Sequence, residues 1–193
     1  MSGYQLRNQL RTLRRSVAAS GESFIPQKAL YKLLSKDVVS ATLRQSGISA
    51  IHIDNLTDKI VKGGQKLFAI LVLLKGEESK ILEFVKHDQL AVSPLDSRLP
   101  FSLETLTTIV PSIAPEFYEA QWELLAPVFS KGVLHRELHD MIRLPFVRNK
   151  WIGGGGFGDV YEIELETAHQ TLPFMRAEDV SPDPSTTVFP CLF

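Results

Sequence analysis

With 193 residues, 44% of them hydrophobic, the chain is long enough to build a packed core in one or two domains. Its net charge of −1 is unevenly spread: Arg7, Arg11, Arg14 and Arg15 stand without an acid in residues 1–21, while residues 151–193 set seven acids against Arg176, a net of −6. That acidic end argues against a nucleic-acid site there, which needs clustered Lys and Arg, and the longest apolar run, Leu67 to Leu74, is far short of the ~18–20 residues that span a bilayer.

A single cysteine, Cys191, cannot form an intrachain disulfide, so a reducing, intracellular, by default cytoplasmic setting is expected. No nucleic-acid partner and no transmembrane segment are expected either.

The first unit, residues 1–22, is basic and amphipathic. Residues 4–19 place Leu6, Leu10, Leu13 and Val17 on one helical face with arginines around it. Three readings compete: a helix that docks on the rest of the protein or frays, a mitochondrial-type presequence, and a membrane-surface helix.

Residues 23–144 read as a helical bundle of about six short helices with connections of ordinary length. Ser23-Phe24-Ile25-Pro26 is a start signal, and Ala29, Leu30, Leu33, Leu34, Val38, Val39, Ala41 and Leu43 continue the apolar pattern up to a stop at Gln45-Ser46-Gly47. Ile48, Ile51 and Ile53 read as a short extended link before Asp54, expected to cap a helix with Leu56, Ile60 and Val61 that ends at Gly63-Gly64. Gln65 to Lys75 is apolar on nearly every side, as a helix in the middle of a bundle is. After Gly76, Glu77 and Glu78 open a helix burying Ile81, Leu82, Phe84 and Val85. Residues 91–100 form a loop, Ser102 caps Leu103 to Val110, and Pro115 opens a helix that turns Phe117, Tyr118, Trp122, Leu125 and Val128 inward. A last helical stretch runs from Val133 to Ile142.

Within that stretch His135 and His139 stand four apart. A zinc protease needs Glu directly after the first His, where Arg136 sits, and two histidines without a third ligand are better read as surface residues. No metal site is expected. Asp140 is placed to pair with Arg136 or Arg143 on the same helix, and Phe117, Tyr118, Trp122 and Phe129 are read as core rather than as a ligand pocket.

The distinctive stretch is Trp151 to Glu166, W-I-G-G-G-G-F-G-D-V-Y-E-I-E-L-E. Glycines at 153, 155 and 158 make a G-x-G-x-x-G, used both by dinucleotide-binding βαβ units and by protein-kinase ATP sites. A dinucleotide site would continue as a helix. Here Tyr161, Ile163 and Leu165 alternate with Glu162, Glu164 and Glu166, a period of two that reads as a strand. The glycines therefore sit in a β-hairpin.

With Ile152 before the glycines and Val160 after them, I-G-G-G-G-F-G-D-V-Y resembles the first two strands of a eukaryotic protein-kinase small lobe, over residues of about 146–168. The resemblance implies that Ile152 and Val160 lie over an adenine ring. It also implies that Gly153, Gly155, Gly156 and Gly158, with Phe157 at the tip, cover the phosphates of ATP, with Mg where it binds. The preceding helical region resembles, in layout, that of kinase-like proteins of filamentous fungi.

The other kinase parts do not follow. No lysine occurs after Lys150, so no third strand in these residues supplies the phosphate-binding lysine, and neither H-R-D nor D-F-G appears. His135-Arg136-Glu137 lies before the glycine loop and carries Glu where an Asp belongs. No catalytic residue is assigned and no phosphoryl transfer is expected from this polypeptide.

The expected fold is thus mainly α: the helical bundle, then residues 145–168 as an incomplete kinase small lobe, then an irregular tail over 169–193, rich in proline. Leu172 to Met175 falls where a third strand would lie, but Pro173 argues against one. The departure after about Gln170 suggests a truncated, alternatively spliced or degraded reading frame. The function expected is that of a kinase-like protein with a nucleotide-binding glycine loop, acting through its helical region on a protein partner. The alternative is an ATP-binding serine/threonine kinase family member whose phosphoryl transfer belongs to a longer relative.

Overall fold

The computed structural model describes residues 1–18, 20–87, 94–130, 137–156 and 158–171, and the backbone of 186–192. The fold is mainly helical, with a small antiparallel sheet at the C-terminal side. Eight α-helices occur among the described residues: α1 (Gly3–Thr12), α2 (Gln27–Leu33), α3 (Lys36–Gln45), α4 (Ala50–Gly63), α5 (Gln65–Leu73), α6 (Ile81–Lys86), α7 (Leu103–Ile109) and α8 (Ala114–Gln121). No helix of the described residues is long and apolar enough to cross a membrane.

Helix α5 is the axis of the packing. From Leu67 to Leu73 every side chain is buried, and α5 touches α1, α2, α4, α6 and α8. A helix apolar all round can only be stable when neighbours cover every face.

Helix α1 supplies one of those neighbours. Ser2 and Gln5 form a capping box, and Leu6 and Leu10 are fully buried in the same core as α5. The docked reading of this segment is the one the structure displays. The helix ends at Thr12, short of the expected 19, because the chain turns into a strand. Strand β1 (Arg15–Ser16) pairs antiparallel with β2 (Ser23–Phe24), and Val17 buries in a second, smaller cluster with Phe24 and Ala126. Helix α1 is therefore built into the helical body.

Three expectations about the bundle need correction. The apolar run 29–43 is two helices, broken at Leu34 and Ser35, where Leu34 leaves helical geometry. Ile51 and Ile53 belong to α4, which starts at Ala50 after Ser49, so the extended link and the Asp54 cap do not occur. Residues 137–142 are not helical; positions 133–136 of that expected helix lie outside the described residues. Arg143 accordingly turns away from Asp140, placing Nε 3.6 Å from Glu22 Oε1 and donating from Nη1 to the Ser23 carbonyl.

Gly63-Gly64 does end α4, for a reason of packing. A Cβ on Gly63 would stand 2.7 Å from Pro94 Cβ, and one on Gly64 2.8 Å from Leu95 Cδ1. The pair lets the segment around residues 94–95 lie directly on the α4–α5 corner. Gly47 and Gly76, by contrast, take φ of +80° and +81°, conformations that a Cβ penalises.

Strands β3 (Phe146–Gly155) and β4 (Gly158–Glu166) form the expected hairpin. Strand β5 (Thr186–Leu192) then pairs antiparallel with β4, giving the order β3-β4-β5. The tail expected to be irregular thus contributes one regular strand, and its Pro190 is tolerated because β5 is an edge. Positions 172–175 lie outside the described residues. Backbone bonds tie the sheet to the helical body: Ala18 N–H donates to the Phe146 carbonyl at 2.9 Å, Phe129 N–H to the His169 carbonyl at 2.8 Å, and Thr171 N–H to the Phe129 carbonyl at 2.8 Å.

Candidate functional site

The glycine hairpin has a defined register. Gly155 faces Gly158, Gly154 faces Asp159, Gly153 faces Val160 and Trp151 faces Tyr161. Between Trp151 and Gly153 the register shifts, so Ile152 and Gly153 together oppose Val160 in a bulge, a device that re-aims side chains next to sites. The structure thereby brings Ile152 and Val160 into the same part of the hairpin. Ile152 is 49% exposed and Val160 half-buried. Phe157 lies outside the described residues.

The glycines divide into two kinds. A Cβ on Gly154 would press on the Asp159 carboxylate, the free end of a side chain that can swing aside, whereas Gly158 takes φ of +140°, a backbone conformation that asks for glycine. Among the described residues nothing lies within 4 Å of a Cβ on Gly153, Gly155 or Gly156, and none of the three takes a positive φ. Neither local packing nor backbone conformation requires glycine at those three positions.

Strand alternation puts Tyr161, Ile163 and Leu165 on one face of β4 and Val160, Glu162, Glu164 and Glu166 on the other. Ile163 and Leu165 are buried, whereas Trp151 remains 57% exposed at the tip. Trp151 Nε1 donates to Asp159 Oδ1 at 3.2 Å, a clasp across the hairpin just below the glycines. On β3, Arg148 faces Glu164 and Lys150 faces Glu162, opposite charges across one ladder. Lys150, the last lysine of the chain, is thus set against a carboxylate three residues before the glycines. Strand β5, on the far side of β4 from β3, reads T-T-V-F-P-C-L and holds no basic residue.

No family model, curated protein sequence or solved structure matches this chain. The kinase resemblance therefore rests on the sequence pattern of residues of about 146–168 alone.

The other residues weighed from the sequence fall elsewhere. Phe117 is core, 5.2 Å from Phe84. Trp122 is 1% exposed, yet with the half-buried Tyr118 it lines a cleft of about 350 Å³ closed by Phe101, Leu103 and His139. His139 stacks on Trp122 at 4.4 Å, and its Nδ1 accepts the Met141 N–H. His135 lies outside the described residues. Among the described residues no group of three or more His, Cys, Asp or Glu is placed to hold a metal ion.

Sequence reasoning passed over the buried charges. Arg7, read as part of a polar rim, is 6% exposed. Its Nε donates to the Val72 carbonyl at 2.7 Å, and its Nη2 lies 3.7 Å from Glu78 Oε1. Arg14 forms a two-pronged pair with Glu123, the Nη2 to Oε2 distance being 3.0 Å. A count of arginines carries no signal for which ones turn inward.

Proposed function

We propose that the chain is a catalytically silent, kinase-like protein in which the glycine hairpin faces the phosphates of a nucleotide and the helical body serves a protein partner. The observation that carries this reading is the glycine excess. Gly153, Gly155 and Gly156 are not demanded by fold or packing, and the use left for such positions is close approach of backbone amides to a ligand. The bulge that sets Ile152 across from Val160 fits a pair of apolar side chains meant to cover a ring.

Silence follows from charge. Phosphoryl transfer needs a lysine on the phosphates and carboxylates on the metal, and the hairpin offers Glu162, Glu164 and Glu166 with Lys150 already opposite one of them. Without that machinery any nucleotide is held weakly, by amides and ring contact.

Calorimetric titration of Mg-ATP into the full chain tests the reading, repeated with Gly155→Val. Among the described residues a Cβ at Gly155 meets open space, and the far-UV circular dichroism of the variant is read alongside to confirm that it folds. Weak binding that disappears in the variant, with no transfer of the terminal phosphate to a general acceptor protein, is the expected result. Absence of heat at millimolar nucleotide, or binding indifferent to the substitution, removes the proposal.

A further inference from the structure

His169 is where three parts of the chain meet. It lies in a 3-10 turn, Thr167–His169, just after β4, and is 1% exposed. Its Nε2 accepts the backbone N–H of Gln27, the first residue of α2, at 3.2 Å. Its Nδ1 stands 3.1 Å from the Pro127 carbonyl oxygen. A nitrogen facing a donor and a nitrogen facing an acceptor define one form of the ring, neutral with its proton on Nδ1. Phe24 of β2 closes the ring from the side, at 5.4 Å and 87°.

The backbone of the same residue is equally engaged. Its carbonyl accepts from Phe129, and Thr171 returns a bond to the Phe129 carbonyl. Ring and backbone together fasten residues 167–171 to α2 and to the segment that follows α8.

A second proton has only Nε2 to occupy, and there it would meet the Gln27 N–H head on. Burial opposes the charged ring most strongly and holds its pKa below the usual 6.5; the bond toward the Pro127 carbonyl works the other way. The charged groups around it divide. Glu166, on its own side, favours the imidazolium, although it also faces Arg15 at 3.9 Å. Lys66, at the start of α5, disfavours it.

We propose that His169 is a proton-operated latch: neutral, it holds residues 167–171 on the helical body, and protonated, it releases them while the helical core stays folded. The folded-state pKa lies below that of a free imidazole, so the latch is fully engaged above pH 6.5. Its grip is lost as pH falls from there through the folded-state value. Acid opens it and neutral pH closes it.

Hydrogen exchange on the full chain at about pH 7.5 and about pH 5.5, corrected for intrinsic rates, tests the latch against Leu67–Leu73 as an internal reference. The amides of Gln27, Phe129 and Thr171 are expected to open more often in acid, by up to about tenfold per pH unit, with the reference unchanged. His169→Gln keeps an acceptor for Gln27 and cannot titrate, so its pattern is expected to be the same at both pH values. The proposal is overturned if the wild-type amides do not respond, if His169→Gln responds equally, or if Leu67–Leu73 lose protection in step. Should His169→Gln fail to fold, ring titration of His169 by NMR in the wild type decides: an apparent pKa at or above 6.5 overturns the latch, and a lower one supports it.

Discussion

Asp96 caps a helix to which it does not belong: its Oδ1 accepts the Leu67 N–H at 2.9 Å and its Oδ2 the Lys66 N–H at 3.0 Å. Helix α5 begins after Gly64, which has no side chain to offer, so a carboxylate from a later loop satisfies the exposed amides. Asp96→Ala is expected to cost about 1–2 kcal/mol, read by urea denaturation, with Asp96→Asn between it and wild type. Burial raises the Asp96 pKa above 3.8, the amide bonds only partly opposing it. The folded state therefore binds the proton more tightly than the unfolded one. The stability difference between wild type and Asp96→Asn should shift against wild type as pH rises through that raised value.

Arg7 and Glu78 form a pair whose side chains are only 7% and 8% exposed. Removing one partner strands the other charge inside. Arg7→Met is expected to destabilise by about 3–5 kcal/mol, and Arg7→Met with Glu78→Gln by clearly less than the sum of the single changes. A double-mutant cycle in denaturant measures the coupling; simple additivity would show that the two side chains act independently.

The adjacent glycines 154 and 155 should answer differently to the same methyl group. Gly154→Ala drives a Cβ into Asp159 and loosens its bond to Trp151, which tryptophan fluorescence of the hairpin should report. Gly155→Ala meets open space and should leave thermal stability within about 0.5 kcal/mol of wild type. Equal losses at both positions would mean that the run of glycines is structural throughout.

Much of the helical body was legible in the sequence. Gln65 to Lys75 declared a buried helix because it is apolar on nearly every side, Ser102 declared a cap by its residue type before an apolar run and its Oγ does accept the Thr105 N–H, and the alternation after Gly158 declared a strand. Other elements were not legible. Ile48, Ile51 and Ile53 look extended by spacing, yet α4 takes the last two, because long-range packing of Ile53 outweighs a weak local pattern. The expected helix over 133–142 rested on periodicity alone and is not present over 137–142. The candidate site was legible as a motif, while the difference between Gly158, whose φ needs glycine, and Gly153, Gly155 and Gly156 was invisible until the backbone was placed.

The sequence by itself determined the periodicities: a body of short helices, a glycine turn, and a strand with one apolar and one acidic face. These are local properties, written in residues a few positions apart. Only the tertiary structure decided which charges turn inward, that Asp96 caps α5, that β5 completes the sheet beside β4, and that His169 joins the end of β4 to α2 and Pro127. Those relationships link residues 20 to 142 positions apart. A buried polar group is stable only with a partner beside it, and which partner arrives depends on how the whole chain packs.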